Sequence, residues 1–485
     1  MITSNYSDHQ TPQFKVLTDG QCKELYLTSL ECIQRIGVLI HNAEARDLLE
    51  AAGSRVDGKQ VYIPAHIIQE AIHITPRTFT LWGREKGKEI RIAPDRVHFG
   101  TGPTCSYFYD PGTQERRRAQ TGDAASTAKV CDYLENIDYL MSLSLFDDVT
   151  PNLSPVYEFS EMIANTSKPI VAWATNPQTL EDIYKIAVNV AGSESAFRAR
   201  PSFALFANYQ SPMQHPDLPM ANVLWAAEHH IPVVYLGGPT VGLESPVTGA
   251  SALVIHLASA LSGLAIVQLK QRGNPVIIGG VPDPMDLRTA RPSYGAPETS
   301  LHIAAANDLA RYLQIPFMGT AGASESKIMD TQAAIEISFQ ILISAMSGPS
   351  LVHDVGFLDC ADIGSLPLVI MSNEIISMAK RIMRGLEVNQ DTIMFDLIEK
   401  VGPAGHFLAE PESAAICRRE IWISDLIDRN AYITWDNKGR LSMEARIQDK
   451  LNKILATHQP SPLSQDKVDQ ITAILEAAEE RERSQ

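Results

Sequence analysis

The chain has 485 residues, of which 45% are hydrophobic and 20% charged, proportions that are ordinary for a globular enzyme. Its 41 Lys and Arg residues against 57 Asp and Glu residues give a formal net charge of −16 at pH 7, which argues against nucleic acid or an anionic membrane surface as the partner. The six scattered cysteines are typical of reduced thiols, and the polar N-terminus has no apolar signal core, so we expect a cytoplasmic protein.

The first 95 residues predict a small α/β cap. Apolar residues recur at helical spacing within 19–52, and a further helix is predicted over 65–74. Segments 78–82 and 89–92 are typical of the two strands of a β-hairpin. These elements precede the repeating part of the chain, so we expect residues 1–95 to form an N-terminal unit of their own.

From residue 97 onward, short β-rich runs alternate with amphipathic helical patterns. About eight such units occupy about 290 residues, the number and size of a (β/α)8 TIM barrel. The predicted strands are 97–100, 139–146, 169–173, 202–207, 232–236, 275–278, 316–319 and 350–353. We therefore expect an α/β fold with the barrel over 96–385, in which 97–99 and 351–353 are neighbouring parallel strands. The helical patterns that follow predict a C-terminal helical extension over 386–485.

The longest apolar run of the chain is 250–269, and polar residues such as Ser251 and His256 interrupt it. These interruptions predict a helix in the protein core or at a subunit interface rather than a membrane span. Such a helix in a protein of this size also favours a homo-oligomer.

The segment 349–365 carries the sharpest candidates for chemistry, because its short apolar strand leads directly into His353 and Asp354. Charged groups at the end of a buried strand are costly unless they are paired or used, and barrel enzymes place their chemistry at that end. We predict that both residues are catalytic; an ordinary ion pair is the alternative. Neighbours in a strand point to opposite faces, so we expect His353 to face substrate and Asp354 to orient loops. Glu298 is a further acidic candidate at the mouth.

Aromatic residues gather near the predicted strand ends, where they could form a cage for a quaternary ammonium group. The candidates for substrate binding are Tyr107, Tyr109, Trp173, Tyr209, Tyr294 and Phe357, although an ordinary core position is the commoner role for any single one of them. Arg288 and Arg291 could hold a substrate carboxylate, or could form salt bridges within their loop. The sequence contains no HExxH motif and no Cys/His spacing typical of zinc, so we expect no catalytic metal.

Three long blocks, 285–316, 319–348 and 351–376, resemble the trimethylamine methyltransferase (MttB) superfamily. The resemblance implies a (β/α)8 barrel, in agreement with the strand count. It also implies transfer of a methyl group from a methylamine or a quaternary amine to the cobalt of a separate corrinoid protein. The cobalamin would be brought by that partner, so we expect no permanently bound cofactor.

Archaeal trimethylamine enzymes of this superfamily contain pyrrolysine, whereas the present sequence contains only standard residues. The resemblance therefore points to the branch without pyrrolysine, with glycine betaine as the preferred substrate and carnitine, γ-butyrobetaine or proline betaine as alternatives. Two other interpretations stay open on the residues alone. The chain could be a barrel lyase or hydrolase that uses His353 and Asp354 as acid and base, or a non-catalytic protein that binds betaines.

Overall fold

The computed structural model describes residues 2–3, 11–113 and 115–484. Within them, the central sheet contains seven strands that pair in parallel, and Ile2–Thr3 pairs antiparallel at one edge. In chain order the parallel strands are Arg96–Thr101, Ile170–Ala172, Phe203–Asn208, Val233–Leu236, Val276–Gly279, Phe317–Thr320 and Leu351–Val355. They are buried almost throughout, as expected for parallel strands covered on both faces.

The pairing of the first and last parallel strands confirms the sequence-based expectation. Val352 pairs with Phe99, in parallel, so these distant segments are neighbours in the sheet. The predicted strand 139–146 is reduced to isolated parallel bridges. Within it, Tyr139 bridges Gly100 while Leu140 bridges Ile170, so this segment connects the two strands at the ends of the parallel array. The fold is a mixed α/β architecture built on a curved parallel sheet.

A helix follows each strand segment, close to the predicted positions. These helices are Thr121–Tyr133, Ser154–Asn165, Pro177–Ala191, Asp217–Glu228, Gly249–Lys270, Pro297–Leu313, Thr331–Ser347 and Leu366–Met383. Several begin at side-chain caps, for example at Asp330, whose carboxylate accepts the Ala333 N–H. Helix Gly249–Lys270 is long and apolar enough to cross a membrane by length and composition, but 83% of its most apolar window is buried. Its apolar residues therefore fill the protein core.

An apolar cluster that is separate from the main hydrophobic core fills the inside of the curved sheet. Its members come from the inward faces of the strands and include Val171, Val234, Ile277 and Leu351. Leu81, Ile90 and Ile92 of the antiparallel hairpin Phe79–Leu81 and Ile90–Ile92 belong to the same cluster. The hairpin thereby closes one end of the sheet interior, and the opposite end, at the carboxyl termini of the strands, is left for a cavity.

Short elements lie in the loops between the strands, namely helix Glu194–Ala199 and strands Tyr107–Tyr109, Arg116–Arg118, Thr240–Val241, Asp283–Asp286, Arg291–Pro292, Phe357–Leu358 and Ile363–Gly364. Further elements lie before and after the sheet. The N-terminal part contains helices Asp19–Glu31, Ala43–Ala51 and Ala65–Ile74, and strands Val38–Ile40, Arg55–Asp57 and Gln60–Tyr62. The strand Val38–Ile40 differs from the expected helix, because it pairs with Gln60–Tyr62 and with the segment Gln214–His215. After residue 385 the helices are Gln390–Ile393, Phe395–Val401, Pro411–Glu420, Tyr432–Asn437, Met443–Thr457 and Gln465–Arg483.

Candidate functional site

A cavity of about 380 Å³ lies at the carboxyl ends of the parallel strands. Its size falls in the lower part of the range for small-molecule sites, roughly 300–1,000 Å³. The lining residues are Pro103, Thr104, Trp173, Ala174, Phe206, Ala207, Asn208, Pro219, Asn222, Leu236, Tyr294, His353, Asp354, Phe357 and Ala361. Five of the sequence-predicted residues are among them: the aromatic Trp173, Tyr294 and Phe357, and the pair His353 and Asp354.

The strand Leu351–Val355 is irregular where it delivers its polar residues. Its register against the neighbouring strand shifts between Val352 and Val355, and Asp354 has a positive φ of 75°. A bulge of this kind breaks the alternation of side chains, so both His353 and Asp354 line the cavity. This geometry corrects the expectation that only one of the pair would reach it.

His353 is held on both of its ring nitrogens. Nδ1 lies 2.5 Å from Oδ1 of Asp354, and Nε2 lies 3.1 Å from the hydroxyl oxygen of Thr320. When the Nδ1–H group donates a hydrogen bond to Asp354, Nε2 accepts a hydrogen bond from the Thr320 hydroxyl group. The ring also meets Phe206 edge-on at 5.9 Å between centroids. The imidazole is therefore fixed in place by partners within the protein.

Trp173 is fixed by a buried carboxyl group that sequence reasoning missed. Its indole N–H donates to Oε2 of Glu158 at 2.8 Å, and the Ser154 hydroxyl donates to the other oxygen at 2.9 Å. Burial raises the pKa of Glu158 to about 7, although these hydrogen bonds oppose the shift. The signal in the sequence was an acidic residue within the otherwise apolar face of helix Ser154–Asn165.

Carboxyl groups concentrate around Tyr294. Burial, with Asp354 and Glu325 nearby, raises the pKa of Asp283 well above its ordinary value, and its buried Oδ1 has no hydrogen-bond partner among the described residues. Burial and the neighbouring Asp283 and Asp354 also raise the pKa of the Tyr294 phenol. Burial therefore favours the neutral form of Asp283, and a cation bound nearby would favour its ionised form.

Phe206, Asn208 and Asn222 also line the cavity, although the sequence did not single them out. Asn222 is buried in helix Asp217–Glu228, and its Nδ2 donates to the backbone oxygen of Ala174 at 2.8 Å. Its Oδ1 is buried without a hydrogen-bond partner in the described part of the chain. No local pattern marked a helix asparagine as a cavity residue.

Three predicted aromatic residues lie outside the cavity lining. Tyr107 stacks beneath Arg116 and Arg118, whose guanidinium carbons lie 4.1 and 4.5 Å from its ring centroid. Tyr109 is part of the hydrophobic core. Tyr209 places its hydroxyl 2.7 Å from Nδ1 of His256, in helix Gly249–Lys270.

The predicted charged residues of the loop after Val276–Gly279 are likewise outside the lining. Arg288 is exposed, Arg291 forms an ion pair with Asp359 at 3.1 Å, and Glu298 is exposed in the first turn of helix Pro297–Leu313. The described residues contain no group of three or more His, Cys, Asp or Glu side chains placed to hold a metal ion.

Comparison with known proteins identifies the family of this architecture. The family model "Trimethylamine methyltransferase (MTTB)" matches residues 2–482. A trimethylamine methyltransferase MttB of Desulfitobacterium hafniense (strain DSM 10664 / DCB-2) is 28% identical over 468 residues, covering 96% of this chain and 94% of that protein. An MttB of Methanosarcina thermophila is 30% identical over 464 residues, covering 94% and 95%.

A glycine betaine methyltransferase of Desulfitobacterium hafniense (strain Y51) is 27% identical over 455 residues, covering 93% of this chain and 94% of that protein. Among solved structures, the monomethylamine methyltransferase MtmB of Methanosarcina barkeri superposes with a TM-score of 0.53 at 11% identity, covering 91% of this chain and 89% of that one. At this identity the superposition establishes similarity of fold.

Proposed function

Because the chain belongs to the trimethylamine methyltransferase (MTTB) family, whose named members are methyltransferases acting on methylated amines, we propose a specific reaction for it. A methyl group passes from a quaternary amine to the Co(I) of a separate corrinoid protein. The C–N bond breaks with its electron pair on nitrogen, and the methyl carbon bonds to cobalt, which becomes Co(III). From the family resemblance alone, glycine betaine is the first candidate substrate, and carnitine, γ-butyrobetaine and proline betaine are alternatives.

The observation that carries this proposal is the composition of the cavity wall. The aromatic side chains of Trp173, Phe206, Tyr294 and Phe357 line a space that the Asp354 carboxylate also lines. Aromatic rings and a carboxylate are the groups that hold a quaternary ammonium ion, which donates no hydrogen bond. The buried Asp283 carboxyl group near Tyr294 supports a cationic occupant, because a cation would stabilise its ionised form.

Positioning is the principal task for such a substrate. A quaternary ammonium already has a neutral amine as its leaving group, so it requires no proton from the enzyme. A cavity of about 380 Å³ accommodates a small methylated amine but not a corrin ring as well. The acceptor cobalt would therefore approach on its own protein at the cavity mouth, and the walls would keep one methyl group aimed outward.

The hydrogen bonds of His353 favour positioning over acid–base chemistry. Both of its ring nitrogens are engaged, by Asp354 and by Thr320. A general base needs a nitrogen within reach of the substrate proton. The anaerobic assay with Co(I)-cobalamin distinguishes methyl transfer from the two alternatives, a lyase or hydrolase and a non-catalytic betaine-binding protein.

We extend the proposal to the domain architecture and location. The bridges at Tyr139 and Leu140 support a complete (β/α)8 barrel over 96–385, with a cap over 1–95 and a helical extension over 386–485. We also propose a cytoplasmic location, in keeping with six free cysteines.

The proposed homo-oligomer is supported by an exposed apolar face. Helix Thr331–Ser347 exposes Ile335 and Phe339, and the adjacent helix Leu366–Met383 exposes Met378 and Ile382. Exposed apolar side chains on two neighbouring helices favour contact with another protein surface. Sedimentation velocity of the wild type and of the Phe339→Glu variant measures the oligomeric state. We expect the wild type to be an oligomer and the variant to dissociate more readily, and a monomeric wild type would contradict the proposal.

An anaerobic assay tests the proposed reaction. The protein is mixed with Co(I)-cobalamin and a panel of quaternary and tertiary amines, and methyl-Co(III) formation is followed by absorbance. We expect transfer from at least one quaternary amine, unaffected by a metal chelator. Tight binding without transfer would indicate a binding protein, and a loss of activity on chelation that zinc restores would overturn the positioning mechanism.

A further inference from the structure

Asn222, which lines the cavity, carries a buried hydrogen-bond acceptor that has no partner among the described residues. The Nδ2 of Asn222 donates to the Ala174 carbonyl, and this contact fixes which end of the amide is the oxygen. Oδ1 is then left buried without a partner, in a side chain that is only 2% exposed. An unmatched buried acceptor costs about 1–3 kcal/mol. A ligand that brings a hydrogen-bond donor would remove that cost.

The charge of the cavity also favours a ligand that brings a hydrogen-bond donor and carries no carboxylate. None of the described residues that line it is Lys or Arg, whereas Asp354 contributes a carboxylate. The basic side chains Arg291 and Lys327 of the surrounding loops lie 3.1 and 3.5 Å from Oδ1 of Asp359. A ligand carboxylate would therefore add negative charge to an acidic region. It would also present an acceptor where Asn222 already presents one.

We infer that the substrate is a quaternary ammonium alcohol, such as choline, and not a betaine carboxylate. This inference rests on the proposed methyl transfer. The trimethylammonium group is held by the aromatic faces and by Asp354, and the hydroxyl group donates to Oδ1 of Asn222. Loss of one methyl group to Co(I) leaves a neutral tertiary amino alcohol as the product. Asn222 is then the residue that selects the polar end of the substrate.

Binding to the full chain without cobalamin tests this inference. Isothermal titration compares choline, ethyltrimethylammonium, which lacks only the hydroxyl group, and glycine betaine. One hydrogen bond predicts that choline binds about 2- to 10-fold more tightly than ethyltrimethylammonium. Glycine betaine should bind more weakly than both. Asn222→Leu should bind choline and ethyltrimethylammonium equally, whereas Asn437→Leu, at an exposed asparagine outside the cavity lining, should keep the preference.

The outcomes separate the two proposals. Glycine betaine binding as tightly as choline, or an unchanged preference in folded Asn222→Leu, overturns the inference; the three wild-type affinities decide it even if that variant does not fold. Transfer to Co(I)-cobalamin from glycine betaine but not from choline overturns it while supporting the proposed reaction. If the ligands bind in the expected order but no amine transfers a methyl group, the result supports the preference for a hydroxyl group and overturns the proposed reaction.

Discussion

Nδ1 of His353 lies 2.5 Å from Oδ1 of Asp354, although the two residues are consecutive in one strand. Regular alternation would place their side chains on opposite faces of the sheet. The positive φ of Asp354 and the register shift before Val355 bring both to the same cavity. Gly102 makes room for the arrangement, because a Cβ there would overlap the Asp354 carboxylate and the Phe357 ring.

Asp354→Asn should weaken substrate binding by removing the negative charge of the cavity while preserving its shape. An interaction with a charged partner contributes about 1.5–3 kcal/mol, so KM for the quaternary amine should rise roughly 10- to 100-fold. Asp359→Asn is the matched control, since its carboxylate pairs with Arg291 outside the cavity lining. Steady-state kinetics and thermal unfolding measure both variants. Equal KM values for the two variants would show that Asp354 is not part of the binding site.

His353→Ala should lower the rate of methyl transfer while the fold is retained, whereas Asp354→Ala should lower the free energy of unfolding.

Trp173→Leu should weaken binding of the cation by removing an aromatic face. A cation–π contact contributes roughly 0.5–2 kcal/mol, so the dissociation constant should rise by about 2- to 30-fold. Trp173→Phe keeps a ring, although it loses the hydrogen bond to Glu158, and should recover part of the affinity. Titration calorimetry measures the three proteins. Equal affinities for the Leu and Phe variants would contradict an aromatic contribution at this position.

Glu158→Gln should change how stability depends on pH. The folded pKa of Glu158 is about 7, raised by burial from an ordinary 4.5. Between those pH values the unfolded chain loses the proton while the folded protein keeps it, so the wild type loses stability as pH rises from about 4.5 to about 7. The variant cannot titrate there, so its free energy of unfolding relative to wild type should increase over this window by roughly 3 kcal/mol.

Urea denaturation at pH values from 4.5 to 7.5 measures this difference. Glu399→Gln, at an exposed glutamate, serves as the control and should show no such trend. A difference between Glu158→Gln and wild type that is independent of pH would show that the Glu158 carboxyl titrates in its ordinary range.

Lys168→Met should destabilise the protein strongly. The Lys168 ammonium donates to the carbonyl oxygens of Cys131, Leu134 and Ile137, each at 2.6 Å, at the end of helix Thr121–Tyr133. Removing it leaves three buried acceptors unmatched, at about 1–3 kcal/mol each before relaxation. We expect a loss of at least about 3 kcal/mol in chemical denaturation. Lys453→Met, at an exposed lysine, should change stability little, and a similar small effect at Lys168 would refute its capping role.

Leu287→Asp and Leu243→Asp should impair docking of the corrinoid protein. These side chains are 83% and 71% exposed, on loops that follow two of the parallel strands and therefore border the cavity mouth. KM for the corrinoid protein should rise several-fold, whereas methyl transfer to free cobalamin should be unchanged. Leu408→Asp, equally exposed but in the C-terminal part, is the control. A rise with free cobalamin as well would indicate damage to the cavity instead.

Local patterns in the sequence determined most of the elements of this fold. The alternation of apolar runs and amphipathic segments places the parallel strands within a few residues of their observed bounds and predicts a helix after each of them. These features depend on interactions between residues close in the chain, and a single sequence records them. The segments 139–146 and 38–40 differ from their predicted structure because the composition of a segment does not decide which neighbours it pairs with, or over how many residues.

Tertiary structure alone decided which polar and aromatic side chains share the cavity. Trp173 lines it, while Tyr209 turns toward His256, although both follow predicted strands. A shift of one residue moves a side chain to the other face of a sheet, so position at a strand end does not fix its direction. Asn222 and Glu158 reach the site from helices, at distances along the chain that no local pattern records. The sequence therefore specifies the elements, and the curvature and packing of the sheet select the residues that line the cavity.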